Sequence, residues 1–212
     1  MATFIFDVLK DLQNKNANLS SITFVLPSKR AGLFLKHQLS QVVNETIFSP
    51  NILSIEEFVE ELSQLKTISN TELLFNFYNT YIQLTEKQNI ETFESFSKWA
   101  QILLQDFNEI DRYLIPQKNI FNYLSAIQDL KHWSLETHKT EFVKNYLSFW
   151  AKLYNYYNHF TEQLLHKKTG YQGLIYREAV ENLETYIQSN QNKHHVFLGF
   201  NALNASEETI IQ

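Results

Sequence analysis

Hydrophobic and polar positions follow two different rhythms along this chain. Near the start, Ile22-Thr23-Phe24-Val25-Leu26 is a nearly continuous apolar run, preceded by the polar stretch from Gln13 to Ser20 and closed by Pro27. A short apolar run closed by a turn residue reads as a buried strand. A second strand signal lies near 46–53, around Ser49-Pro50-Asn51-Ile52-Leu53, and a third is His195-Val196-Phe197-Leu198, stopping at Gly199-Phe200. Residues 3–13 fit a short amphipathic helix. Ser28 can cap a helix that carries Leu33, Phe34 and Leu39. Strand, helix and strand over about 30 residues predict a right-handed βαβ unit with parallel strands. Ser54-Ile55-Glu56-Glu57 is an S-x-x-E capping box, predicting a helix to about Leu65.

From Thr71 the period becomes helical. Leu73, Leu74, Phe77, Tyr78, Tyr81 and Ile82 repeat on one face, followed by Phe96, Trp99, Leu103, Phe107, Ile110 and Leu114, until Pro116 breaks the run. Ile120, Leu124 and Ile127 mark a shorter helix. Residues 139–166 carry a near-heptad stripe from Val143 through Tyr146, Trp150, Leu153, Tyr157 and Phe160 to Leu164. Gly170 and Gly173 punctuate it, and Ile175, Ala179, Leu183 and Tyr186 predict a last helix. Asn204-Ala205-Ser206-Glu207 is a further capping box, opening a helix that has barely begun at Gln212. The layout predicts an α/β domain of residues 1–65 and 189–212, interrupted by a helical insertion of residues 66–188. The chain reads as predominantly helical, and as a piece of a longer protein.

Composition narrows the function. The 212 residues are 44% hydrophobic and include 17 Phe, 11 Tyr and 3 Trp, but only 4 Gly and 3 Pro, which suits a packed, helix-rich chain. The net charge of −5 argues against a protein that coats nucleic acid, while leaving room for a local basic contact. With no Cys there is no disulfide or thiolate chemistry, and cytoplasm is the expected compartment. No apolar run approaches the ~18 residues of a membrane span, and the Phe4-Ile5-Phe6 run is no signal peptide.

A phosphate-gripping P-loop, G-x-x-x-x-G-K-[ST], is absent. The third strand ends at Gly199-Phe200-Asn201, without the Mg²⁺-binding acid of a motor ATPase. Neither ATP binding nor any other cofactor or catalytic residue is therefore expected. The turn Pro27-Ser28-Lys29-Arg30 combines a strand end, a helix N-terminus, a hydroxyl and two cations. Such a turn is either a solvated helix start or a contact for a nucleic-acid phosphate. Asp106, Glu109 and Asp111 lie in one helix; Asp106 and Glu109 share a face, where a metal is conceivable, but a polar helix flank explains the group better. His138-x-x-Glu141 and His159-x-x-Glu162 lie about 30 Å apart if on one helix and cannot share an ion. Adjacent His194 and His195 should point to opposite faces of a strand. No metal site is expected. Asp129-Leu130-Lys131 has a nuclease-like D-x-K form but falls in a helical region.

The segments ITFVLPSKRAGLFLKHQL (Ile22–Leu39), WAQILLQDFNEIDRYL (Trp99–Leu114), YQGLIYRE (Tyr171–Glu178) and VFLGFNALNASEETIIQ (Val196–Gln212) resemble the N-terminal part of AddB-like helicase–exonuclease subunits. The likeness is to the branch without a P-loop, described as PD-(D/E)XK nuclease family proteins. It implies an incomplete RecA-like, UvrD-type parallel-sheet domain with an all-helical insertion. It also implies an AddA-like helicase–nuclease partner, action on double-strand DNA ends, and a nuclease domain far to the C-terminal side. The helicase-like half of the family contacts DNA, single-stranded or at a duplex end, but is not the motor. Ser28, Lys29 and Arg30 match the turn where related motors place T-N-K-A-A against single-stranded DNA, with Pro27-Ser28 replacing Thr-Asn. Gly199-Phe200 matches the Asp-Glu of the motors, implying a dead ATP site. A protein-interaction module whose helical insertion docks a partner, without binding DNA, is the alternative.

Overall fold

A computed structural model describes residues 4–15, 17–131 and 141–212. In chain order its elements begin with α1 (Phe4–Asn14), a 3₁₀ turn at Leu19–Ser21, β1 (Ile22–Leu26), α2 (Lys29–Val42), β2 (Asn51–Ser54) and α3 (Ile55–Ser63). There follow β3 (Lys66–Thr67), α4 (Asn70–Leu84), a 3₁₀ turn at Lys87–Asn89, α5 (Phe93–Arg112), α6 (Gln117–Lys131) and α7 (Glu141–His166). The chain closes with β4 (Thr169–Gly170), α8 (Gln172–Glu181), α9 (Leu183–Ser189), β5 (His194–Phe197) and α10 (Ala205–Ile211). It is α/β and mostly helical, and divides into two units, Met1–Gln64 with Glu178–Gln212, and Leu65–Arg177.

In the first unit three parallel strands lie in the order β2-β1-β5, with Phe24 beside both Ile52 and Val196. Every residue of the central strand is buried, as expected of a parallel strand covered on both faces. Ile22, Phe24 and Leu26 point to one face, where they pack with Leu9 of α1 and Leu35, Leu39 and Val42 of α2. Beside the sheet, Phe58 of α3 meets Tyr186, His195 and Phe197, with ring centroids 5.8, 5.5 and 5.6 Å away. The second strand is shorter than its sequence signal: Pro50, lacking an N–H, precedes it, and pairing runs only from Asn51 to Ser54.

Both capping boxes form. The Ser54 hydroxyl accepts from Glu57 N at 3.3 Å while the Glu57 carboxylate accepts from Ser54 N at 2.9 Å, and Asn204 and Glu207 repeat the arrangement. Each satisfies amides that the first helical turn leaves without partners.

The second unit is a helical assembly around aromatic rings. Phe77 of α4 is fully buried against Phe96 and Phe107 of α5 and Phe160 of α7, at 5.4, 5.7 and 5.1 Å. Centroid distances of 4.5–7 Å in tilted and edge-on poses are the favoured aromatic geometry. α5 ends before Pro116, at Arg112, where Leu114 adopts a left-handed φ of 54° and Ile115 N bonds back to Ile110 O. The parallel pairing of β3 with β4, two residues each, has no counterpart in the sequence reading.

Candidate nucleic-acid interface

The turn between β1 and α2 stands at the carboxyl end of the central strand. Chain connectivity leaves β1 through α2 to β2 on one side, while β5 lies on the other. The strand order therefore reverses between β1 and β5, the place where open parallel sheets bind ligands. Ser28 is extended and its hydroxyl accepts from Ala31 N at 3.3 Å, which starts α2 as the sequence suggested. At the end of β5, Gly199 has a φ of 78°, and a Cβ built there would lie 3.9 Å from Pro27 Cδ. The two turns singled out in the sequence are thus neighbours.

Lys29 and Arg30 are both exposed. Lys29 Nζ lies 3.0 Å from Glu57 Oε1, while Glu57 Oε2 accepts from the backbone N–H and hydroxyl of Ser54. One carboxylate thereby ties the starts of α2 and α3 together. The hydrogen bond and charge of Glu57 raise the Lys29 ammonium above its usual range. The bond from Ser54 N, then that from Lys29, hold Glu57 below the usual carboxylate range. Arg30 has no such carboxylate partner among the described residues. The sequence identified Glu57 only as a cap; its second role joins residues 28 positions apart in number through the β1–β2 register, which one-dimensional spacing does not display.

In the helical unit, Asp106 and Glu109 are exposed and line a groove of about 830 Å³ with Asn70, Gln101, Asn108 and Phe75. Desolvation raises Asp106 above the usual carboxylate range. Among the described residues no group of three or more His, Asp or Glu is placed to hold a metal. His159 Nδ1 lies 3.0 Å from Asn155 O on its own helix, and His195 Nε2 lies 3.0 Å from the Tyr186 hydroxyl. His138 lies outside the described residues, and Asp129-Leu130-Lys131 falls at the end of α6.

Asp111, grouped in the sequence with those acids, is completely buried. It accepts hydrogen bonds from Tyr157 at 2.5 Å, from Tyr171, and from Arg177 Nε at 2.7 Å. Arg177 also donates to Ile110 O and Ile115 O, at 3.0 and 2.8 Å, bracing the left-handed turn at Leu114. Burial, then the Asp111 charge, pushes both tyrosine hydroxyls well above their usual range, so they stay protonated donors. Close by, Gly173 N donates to Asn108 Oδ1 at 2.7 Å, and a Cβ at Gly173 would lie 2.1 Å from Asn108 O. These bonds join α5 to α7 and to Tyr171 and α8, which makes the cluster a structural hub.

No protein-family model matches the chain, and no curated protein matches it.

Proposed function

We propose that this chain is the helicase-like, ATPase-inactive N-terminal part of an AddB-type nuclease of double-strand-break repair, which scaffolds the enzyme and contacts DNA at Ser28, Lys29 and Arg30. The RecA-like assignment and the AddA-like partner belong to the same reading and rest on the resemblance of the quoted segments. The observation that carries the DNA contact is the position of the Ser28-capped start of α2, with two exposed cations, where the parallel strand order reverses. Fluorescence anisotropy with single-stranded and duplex-end DNA across a salt series tests it. Salt-sensitive binding weakened by Lys29→Ala/Arg30→Ala is expected. No binding at low salt, with the double variant indistinguishable from the parent, would remove DNA contact from this chain. Exposed Phe75, Ile102 and Tyr123 in the helical unit favour the second reading, a surface that docks a protein such as the AddA-like subunit.

A further inference from the structure

The groove of about 830 Å³ in the helical unit brings three kinds of surface together. Its floor is apolar, with Ile68, Leu74 and Leu104 half-buried. Phe75 adds a ring that is 52% exposed, although it stacks on Phe93 at 4.8 Å with the planes 3° apart. Large apolar side chains left open along a concave surface mark a place where a further group can be buried.

Charge and length decide what fills it. Asp106 and Glu109 line the groove and, among the described residues, no Lys, Arg or His does. The two acids are three residues apart on α5 and so lie on one side of it. Among the described residues Glu109 accepts only a long bond from Asn108 Nδ2, at 3.4 Å, and Asp106 has neither hydrogen-bond nor ion-pair partner. A carboxylate partly withdrawn from water is best satisfied by an occupant that brings a cation. A metal ion is a poor candidate, since among the described residues no three ligands converge. The remaining lining is neutral and polar: Gln101 and Gln105, one turn apart on α5, with Asn70 of α4 and Gln172 of α8. Each of these amides offers both a donor and an acceptor, the pair that a peptide backbone requires. From Gln101 to Glu109 the groove follows α5 for about 12 Å. That is the span of about four residues of extended chain. A small organic cation would meet one point of this line, whereas an extended basic peptide meets all of it.

We propose that this groove docks an extended, basic peptide segment of a protein partner, with a Lys or Arg side chain reaching Asp106 and Glu109 and an apolar side chain packing on Phe75 and Leu74. This deepens the second reading above, in which the helical unit docks a protein, and rests on it. It is independent of DNA contact at the 28–30 turn.

The test is selection from a phage-displayed random dodecapeptide library on the full chain, with Asp106→Asn/Glu109→Gln as a parallel target. Fluorescence anisotropy with the labelled peptide Arg-Leu-Arg-Phe-Arg-Leu accompanies it. Circular dichroism verifies each fold; Phe75, Asp106 and Glu109 are exposed, so the variants keep the core. Selected peptides should combine Lys or Arg with aromatic or branched apolar residues. Asp106→Asn/Glu109→Gln should weaken the labelled peptide about 10-fold. Phe75→Ala should weaken it about 10-fold as well, without changing its salt dependence. Hexa-arginine binding as tightly as the mixed peptide, with Phe75→Ala silent, overturns the groove and leaves diffuse attraction to a chain of net charge −5. Selected peptides that bind the parent and the double variant alike overturn the groove while the docking reading stands. Enrichment of no peptide overturns both. Binding of benzyltrimethylammonium without binding of the peptide overturns the proposal in favour of a small organic cation.

Discussion

Replacing Asp111 by Asn keeps the shape of the side chain and removes its charge. The carboxylate is completely buried and takes three donors, two of them tyrosine hydroxyls. The tyrosines can turn or accept, but Arg177 cannot lose its charge. Its side chain is 11% exposed, and without Asp111 it is a buried cation facing only the carbonyls of Ile110 and Ile115. Removing one partner of a buried ion pair costs about 3–5 kcal/mol. Trp99 and Trp150 lie in the helical unit, so tryptophan fluorescence reports its unfolding. Urea unfolding read by tryptophan fluorescence should show a midpoint lowered by about 2 M. Adding Arg177→Met to Asp111→Asn should cost less than the sum of the single changes, with a coupling of about 1–3 kcal/mol. A loss below about 1 kcal/mol for Asp111→Asn, or simple additivity, would refute the claim that a stranded guanidinium sets the penalty.

Gly173→Ala drives a methyl group to 2.1 Å from the Asn108 carbonyl oxygen, so α8 must move off α5. A loss of about 1–3 kcal/mol in the same unfolding assay is expected, and a neutral result would mean that the two helices separate freely. Glu57 has a folded-state acidity below the usual range, so the stability it adds is complete above its unfolded value of about pH 4.3 and is lost as pH falls through the lower folded value. The stability difference between the parent and Glu57→Gln should be constant near neutrality and shrink below about pH 4.3; a difference that widens in acid would contradict the assigned direction.

Much of the sheet was legible because parallel strands announce themselves. Ile22–Leu26 is apolar on both faces, and Pro27 and Ser28 mark where it stops and α2 starts. The capping boxes were legible for a similar reason: their chemistry is local, three residues from end to end. Asp111 was misjudged because a carboxylate in a polar run resembles its neighbours, yet a signal existed. Phe96, Ala100, Phe107 and Ile110 are buried on α5, and Asp111 lies one turn beyond Phe107 on that same side. A charge inside a buried stripe requires partners, and Tyr157, Tyr171 and Arg177 come from elements 46 to 66 residues away. Leu33 and Phe34 were misleading in the opposite direction. The sequence set them beside Leu39 on one helix, but Leu35 and Leu39 hold its buried face and Leu33 and Phe34 are exposed. The pairing of Lys66-Thr67 with Thr169-Gly170 was beyond periodicity, since two residues show no period.

The sheet also sets a timetable for synthesis. β1 begins at residue 22 and its neighbour β5 at residue 194. At 5–20 residues per second, a ribosome needs about 10–30 s to make the intervening chain. Throughout that interval β1 can pair with β2 but not with β5, and one row of its backbone N–H and C=O groups waits without the ladder that later covers it. Chaperone capture of the nascent chain should therefore be concentrated between the emergence of Leu26 and that of Phe197, and should end when β5 docks.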